Sequence, residues 1–98
     1  MPDVLLLTER GDFVFYELKA TKARAGKVDL SPHQVAWLTR HSHARCFIVV
    51  RDGSLALRVF PASAAVDLRM DDFAAVEALA VFEEPYGWGE FFRLTCPL

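Results

Sequence analysis

Cysteine is scarce in this chain: two residues among 98, Cys46 and Cys96. Two cysteines so far apart, one of them leading the apolar run Cys46 to Val50, argue for a reduced, cytoplasmic setting over a disulfide-stapled secreted scaffold. No apolar run approaches the ~20 residues of a membrane span. No basic-then-apolar leader opens the sequence either, so neither a membrane partner nor export is expected. Repeats, linkers and low-complexity stretches are missing, and the length allows a single domain over residues 1–98. A chain of this size buries only about 60 to 65% of its unfolded surface, so stability leans on a partner.

A surplus of positive charge is also lacking, since the net charge is −2. The charges are nevertheless polarised. From Glu17 to Arg51 the bases are Lys19, Lys22, Arg24, Lys27, Arg40, Arg45 and Arg51 against Glu17 and Asp29, a local excess of five. From Asp67 to Glu90 seven acids are opposed only by Arg69. Phosphate binding depends on a local basic surface more than on the total, which makes the first half the candidate DNA-binding half; both stretches also read as ordinary solvated faces.

Val4 to Leu7 and Phe13 to Ala20 read as the two strands of a hairpin, with Thr8 to Asp12 as its turn. Thr21 to Asp29 is polar, contains Gly26 and reads as a mobile loop carrying Lys22, Arg24 and Lys27 beside the pocket described next. A helix starts with Ser31 as N-cap, Pro32 at the first turn and Gln34 closing a capping box, and runs to about His41. Cys46 to Val50 is a central strand buried on both faces. Asp52-Gly53 signals a hairpin whose second arm, Leu55 to Phe60, stops at Pro61. The spacing of Phe73, Val76, Leu79 and Ala80 predicts a helix over about Asp71 to Val81, and Phe91 to Leu94 reads as a last strand. Tyr86 and Trp88 offer faces for base stacking, though packing in the core or an oligomer interface is the commoner role.

Alternation puts Phe13, Phe15, Glu17 and Lys19 on one strand face, with Glu17 and Lys19 roughly 7 Å apart. A carboxylate and an ammonium beside two phenylalanines require compensation, because unpartnered buried charge is costly. A divalent cation held by Asp3 and Glu17 would provide it, since hard oxygen ligands suit Mg²⁺ or Mn²⁺. Lys19 then faces the same pocket as a proton donor or charge clamp. His33, His41 and His43 with Cys46 fit no strong zinc spacing.

At Pro2-Asp3 and Glu17-Leu18-Lys19 the chain resembles the PD-(D/E)XK nuclease superfamily. The segment Leu30-Ser31-Pro32-His33-Gln34-Val35-Ala36-Trp37-Leu38 looks like the helix that follows the E-x-K strand in its small phage-type VRR-Nuc-like and Holliday junction resolvase-like members. The resemblance covers residues 2 to about 50 and implies an α/β (α+β) fold: a restriction-endonuclease-like core with a mixed central β-sheet flanked by helices. The family's leading helix would be missing, so that one sheet face needs another cover: the helix expected over Asp71 to Val81, the aromatic tail, or a second copy. The implied function is a metal-dependent DNA endonuclease, acting in the cytoplasm of a phage host and leaving 5′-phosphate ends. Asp3, Glu17 and the Leu18 carbonyl would hold Mg²⁺ (or Mn²⁺), Lys19 would stabilise charge at the scissile phosphate, and Gln34 would reach the active site in addition to its capping role. Lys22, Arg24 and Lys27 would contact phosphates, and a homodimer with two sites would suit a four-way junction. Two other classes stay open: a nuclease-fold DNA-binding protein without activity, and a structural or regulatory module that docks a protein through its acidic, aromatic second half.

Overall fold

A computed structural model describes residues 3–96, so Pro2 of the Pro2-Asp3 pair lies outside the described residues. The elements run β1 (Val4–Leu7), β2 (Phe13–Ala20), α1 (Pro32–Arg40), β3 (Cys46–Arg51), β4 (Leu57–Pro61), a 3₁₀ turn (Ala62–Ala64) leading into α2 (Ala65–Met70), β5 (Ala80–Phe82) and α3 (Trp88–Thr95). This is a mixed α+β fold. Its five strands form one sheet in sequence order, antiparallel except where β2 meets β3. Parallel neighbours need a long crossover, and α1 supplies it.

Alternation along the central strand divides the interior. Cys46, Ile48 and Val50 join Leu38 of α1, Leu68 of α2 and Phe60 on one face. Phe47 and Val49 join Val14, Tyr16, Val59 and Phe91 of α3 on the other. β3 is buried from Cys46 to Val50, as a strand covered on both sides should be. At the start of α1 the Ser31 hydroxyl accepts from the Gln34 N–H at 3.1 Å and Gln34 Oε1 accepts from the Ser31 N–H at 2.9 Å, so the expected capping box forms.

The β3–β4 turn is longer than an Asp-Gly pair alone requires. Asp52 is 2% exposed, and its Oδ1 accepts from the Ser54 N–H and hydroxyl and the Ala56 N–H while Oδ2 takes Arg58 Nε at 3.1 Å. These bonds hold the carboxyl below the usual carboxylate range even though burial works against them. Leu55, at φ 68°, rather than Gly53, takes the left-handed conformation. β4 accordingly begins at Leu57 and includes Pro61, two residues later than expected at its start.

Three expectations are corrected. Residues 71–79 are not a helix, because the Asp72 carboxylate accepts from the Ala74 N–H at 2.8 Å and the Gly26 N–H at 2.9 Å, a local turn that competes with helical bonding. Phe73 still reaches the core at 1% exposure, and Ala80 to Phe82 pair with β4 as an edge strand. Phe91 to Leu94 belong to α3, in which Phe91 and Thr95, one turn apart, both face inward. The basic segment 21–29 is tied down: Thr21 N–H bonds Arg51 O, Gly53 N–H bonds Ala23 O at 2.7 Å, Phe73 N–H bonds Gly26 O and Val28 N–H bonds Leu68 O.

Gly53 is where this loop meets the sheet most closely, since a Cβ there would sit 2.1 Å from the Lys22 carbonyl oxygen. Backbone cannot yield as a side-chain tip does. Gly53→Ala is expected to lower stability by about 1 to 3 kcal/mol and to raise hydrogen exchange in the Thr21–Gly26 stretch. Denaturation midpoints and exchange rates equal to wild type would contradict this packing.

Candidate active site

Extending the β1–β2 register one step past Val4↔Tyr16 sets Asp3 opposite Glu17, on the face that α1 covers. Asp3 Oδ2 accepts from the Leu18 N–H at 2.8 Å. That bond fixes the acid at the edge of β2. A strand residue directs its N–H and C=O to the same side, so the Leu18 carbonyl leaves toward Asp3 as well.

Glu17 lies beside Ile48 of β3 and is 2% exposed. Among the described residues its Oε2 has no hydrogen-bond partner. Burial first, and then the neighbouring Asp3, push the Glu17 carboxyl up to about 7 against the opposing charge of Lys19. Asp3 moves the other way, held below its ordinary value chiefly by the hydrogen bond from Glu17 and also by the Leu18 N–H and Lys19. The two acids thus behave as a pair that shares one proton near neutrality.

Lys19 follows on the same face, half-buried, with Nζ donating to Gln34 Oε1 at 3.3 Å. The same oxygen takes the Ser31 N–H. Capping and contact with the site are therefore simultaneous roles of Gln34, and Asp3, Glu17, Lys19 and Gln34 converge although they come from the residue before β1, from β2 and from α1.

The donor set suits a hard divalent cation: two carboxylates, one with an unengaged oxygen, and a nearby main-chain carbonyl. Among the described residues no group of three or more His, Cys, Asp or Glu side chains is disposed to hold a metal. His41 instead stacks on Trp37 at 4.0 Å and bonds its carbonyl through Nδ1. Burial and the Glu17 charge push the Cys46 thiol up to about 11, which leaves it an inert core residue.

Lys22, Arg24 and Lys27 are all exposed. Their loop runs from the end of β2 along the β3–β4 turn to α2, and among the described residues no hydrogen bond or ion pair joins their side chains to the acids. Lys27 sits between Gly26 and Val28, which are bonded to Asp72 and Leu68, so it belongs to the α2 side. The loop is thus anchored to the β3–β4 turn and to α2, in contrast to the mobile loop expected beside the acids. Trp88 is 51% exposed, so of the two packings expected for it the core is excluded, whereas Tyr86 is half-buried with its hydroxyl on the Leu55 carbonyl. Arg51 and Phe92, read from the sequence only as a charge and a strand residue, stand together with Trp88 along one groove.

The Glu17 shift has a measurable sign. In the unfolded chain this acid loses its proton near 4.5, whereas in the fold it keeps it to about 7, so between these values the folded state binds more protons and stability falls as pH rises. Asp3, lowered in the fold, acts below its ordinary 3.8 and leaves this window to Glu17. With a chelator present, stability is expected to drop by on the order of 2 to 3 kcal/mol from pH 5 to pH 8. Glu17→Gln should flatten that slope and be the more stable protein at pH 8; identical slopes in urea titrations of both proteins would show that Glu17 is not buried as described.

No protein-family model, no curated protein and no solved structure matches this chain, so the chemistry of the site is argued from its own residues.

Proposed function

We propose that this chain is a metal-dependent DNA endonuclease with a restriction-endonuclease-like core, hydrolysing phosphodiester bonds at the Asp3–Glu17–Lys19 site. One observation carries the reading: a carboxyl group 2% exposed, with an unengaged oxygen, faces a second carboxylate, while a lysine on the same strand face is bonded to a glutamine of α1. Such an arrangement is hard to account for as a stability device, because a buried acid without a full set of partners is destabilising.

Asp3, Glu17 and the Leu18 carbonyl would hold Mg²⁺ or Mn²⁺, which when bound supplies a Lewis acid for the phosphate and lowers the pKa of water. Glu17 must give up its proton before it can act as a ligand, which favours neutral to alkaline conditions. Lys19 brings a positive charge to where negative charge builds on the phosphate, and Gln34 Oε1 holds that ammonium in line without neutralising it. Asp3, ionised throughout the neutral range, keeps the Leu18 segment in register.

A homodimer fits this reading. β1 is an edge strand, and Leu5 and Leu7 on it, with Phe13 opposite Leu7, are each more than half exposed. An exposed apolar edge favours strand-to-strand pairing with a second copy, which would set two sites about a two-fold axis, as four-way junctions require. Among the described residues no helix is long and apolar enough to cross a membrane.

The test is cleavage of linear, nicked, flapped and four-way DNA with Mg²⁺ or Mn²⁺. Wild type should cut at least one of these, Asp3→Asn and Glu17→Gln should not, and Lys19→Ala should lose about 10²- to 10³-fold in kcat. Equal cleavage by wild type and Lys19→Ala would exclude the mechanism. DNA binding by all four proteins with no cleavage would identify an inactive nuclease-fold binder instead.

A further inference from the structure

On the sheet face opposite Glu17 a groove of about 460 Å³ runs between α3 and strands β1 to β3. Val4, Leu6 and Leu18 form its floor, Trp88 and Phe92 its wall, and Arg51 stands at the end of β3. Leu18, Trp88 and Phe92 are 48, 51 and 44% exposed, a clustering of large apolar groups that marks a binding surface. The Trp88 and Phe92 rings meet Phe91 near-perpendicularly, at 82° and 85°, and among the described residues neither has a stacked partner. Phe91, buried in the core, thereby props two aromatic rings at the surface.

Charge surrounds one end of this groove. Because β2 and β3 are parallel, Arg51 finishes level with Ala20. The Thr21 N–H then bonds Arg51 O at 2.9 Å and the Gly53 N–H bonds Ala23 O, which keeps Lys22 and Arg24 close by. All three cations are exposed, and among the described residues none is in an ion pair. An acidic lipid gathers its charge in one head group, whereas three exposed cations, Arg51, Lys22 and Arg24, succeed one another here, and a duplex keeps its base faces stacked on one another. A strand of unpaired nucleotides offers both flat apolar faces and regularly spaced phosphates.

We propose that the α3 groove seats an unpaired base of single-stranded DNA against Trp88 and Phe92, with the flanking phosphates on Arg51 and the Lys22–Arg24 loop. The choice of DNA rests on the nuclease reading, and the groove adds a substrate class to it: DNA with an unpaired segment, such as a flap or a branch, in preference to plain duplex. Leu18 connects the two features, since it lines the groove while Glu17, one residue earlier, falls on the other strand face and Lys19, which also borders the groove, carries its Nζ to Gln34 of α1.

Binding of an oligothymidylate and of a blunt duplex of equal length, measured by anisotropy in EDTA, tests this without any need for cleavage. Trp88→Ala should weaken oligothymidylate binding roughly 5- to 100-fold, the range of one lost base stack, and leave duplex binding unchanged. Trp88→Phe should restore most of it, and Arg51→Ala should reduce the salt dependence by about one phosphate contact. Wild-type oligothymidylate affinity in a Trp88→Ala protein with native circular dichroism would overturn the proposal. So would a dimer, seen by light scattering, that Trp88→Ala converts to monomer, because a second copy would then occupy the groove. Failure to cleave any DNA bears on the nuclease reading alone, since every binding measurement here is made without metal.

Discussion

The position of Glu17 constrains the rest of this molecule. A carboxyl group at the middle of a β-sheet, 2% exposed and beside Ile48, is tolerated only because its neighbours adjust to it. Its proton is retained to about neutral pH, Asp3, just before β1, lies across from it to share that proton, and Lys19 lies one alternation along the same strand. Removing the burial would remove the shift, and with it the reason for the pair.

Two structural devices hold that arrangement. The Ser31–Gln34 capping box sets where α1 begins, and Gln34 Oε1 thereby arrives 3.3 Å from Lys19 Nζ. Asp52, saturated by four donors, shapes the β3–β4 turn against which the segment after β2 is fastened. Buried acids therefore serve opposite ends here: one fully satisfied and structural, the other left with an unengaged oxygen. Hydrogen-bond accounting separates them where burial alone does not, since both are 2% exposed.

The two sheet faces carry different chemistry from one strand. Glu17 and Lys19 point toward α1, Leu18 toward α3. A strand's period of two makes this division unavoidable. It lets β2 place a cluster of acidic and polar side chains and an apolar groove back to back with the thickness of one sheet between them, while the exposed cations gather at the end where β2 and β3 finish together.

Much of this was written in local pattern. The β1–β2 hairpin, the alternation that unites Glu17 with Lys19, the capping box of α1 and the apolar run of β3 each depend on residues within a few positions of one another, and each is found where the pattern predicts. Residues 71–79 and α3 were not legible in the same way. Phe73 and Val76 have helical spacing, but the Asp72 carboxylate bonds Gly26 from a distant loop and Ala80 to Phe82 are drawn into pairing with β4. Aromatic residues 91 and 92 suit a strand by propensity, yet an open sheet face needed a helix to cover Tyr16 and Phe47, and the groove exists only because that helix lies there. By itself the sequence determined which side chains share a strand face and where α1 starts, because those follow from backbone periodicity and short-range hydrogen bonds. Only the tertiary structure decided how deeply Glu17 is buried, where the basic loop is fastened and what covers the second face, because solvent exclusion and long-range pairing arise only when the elements pack together.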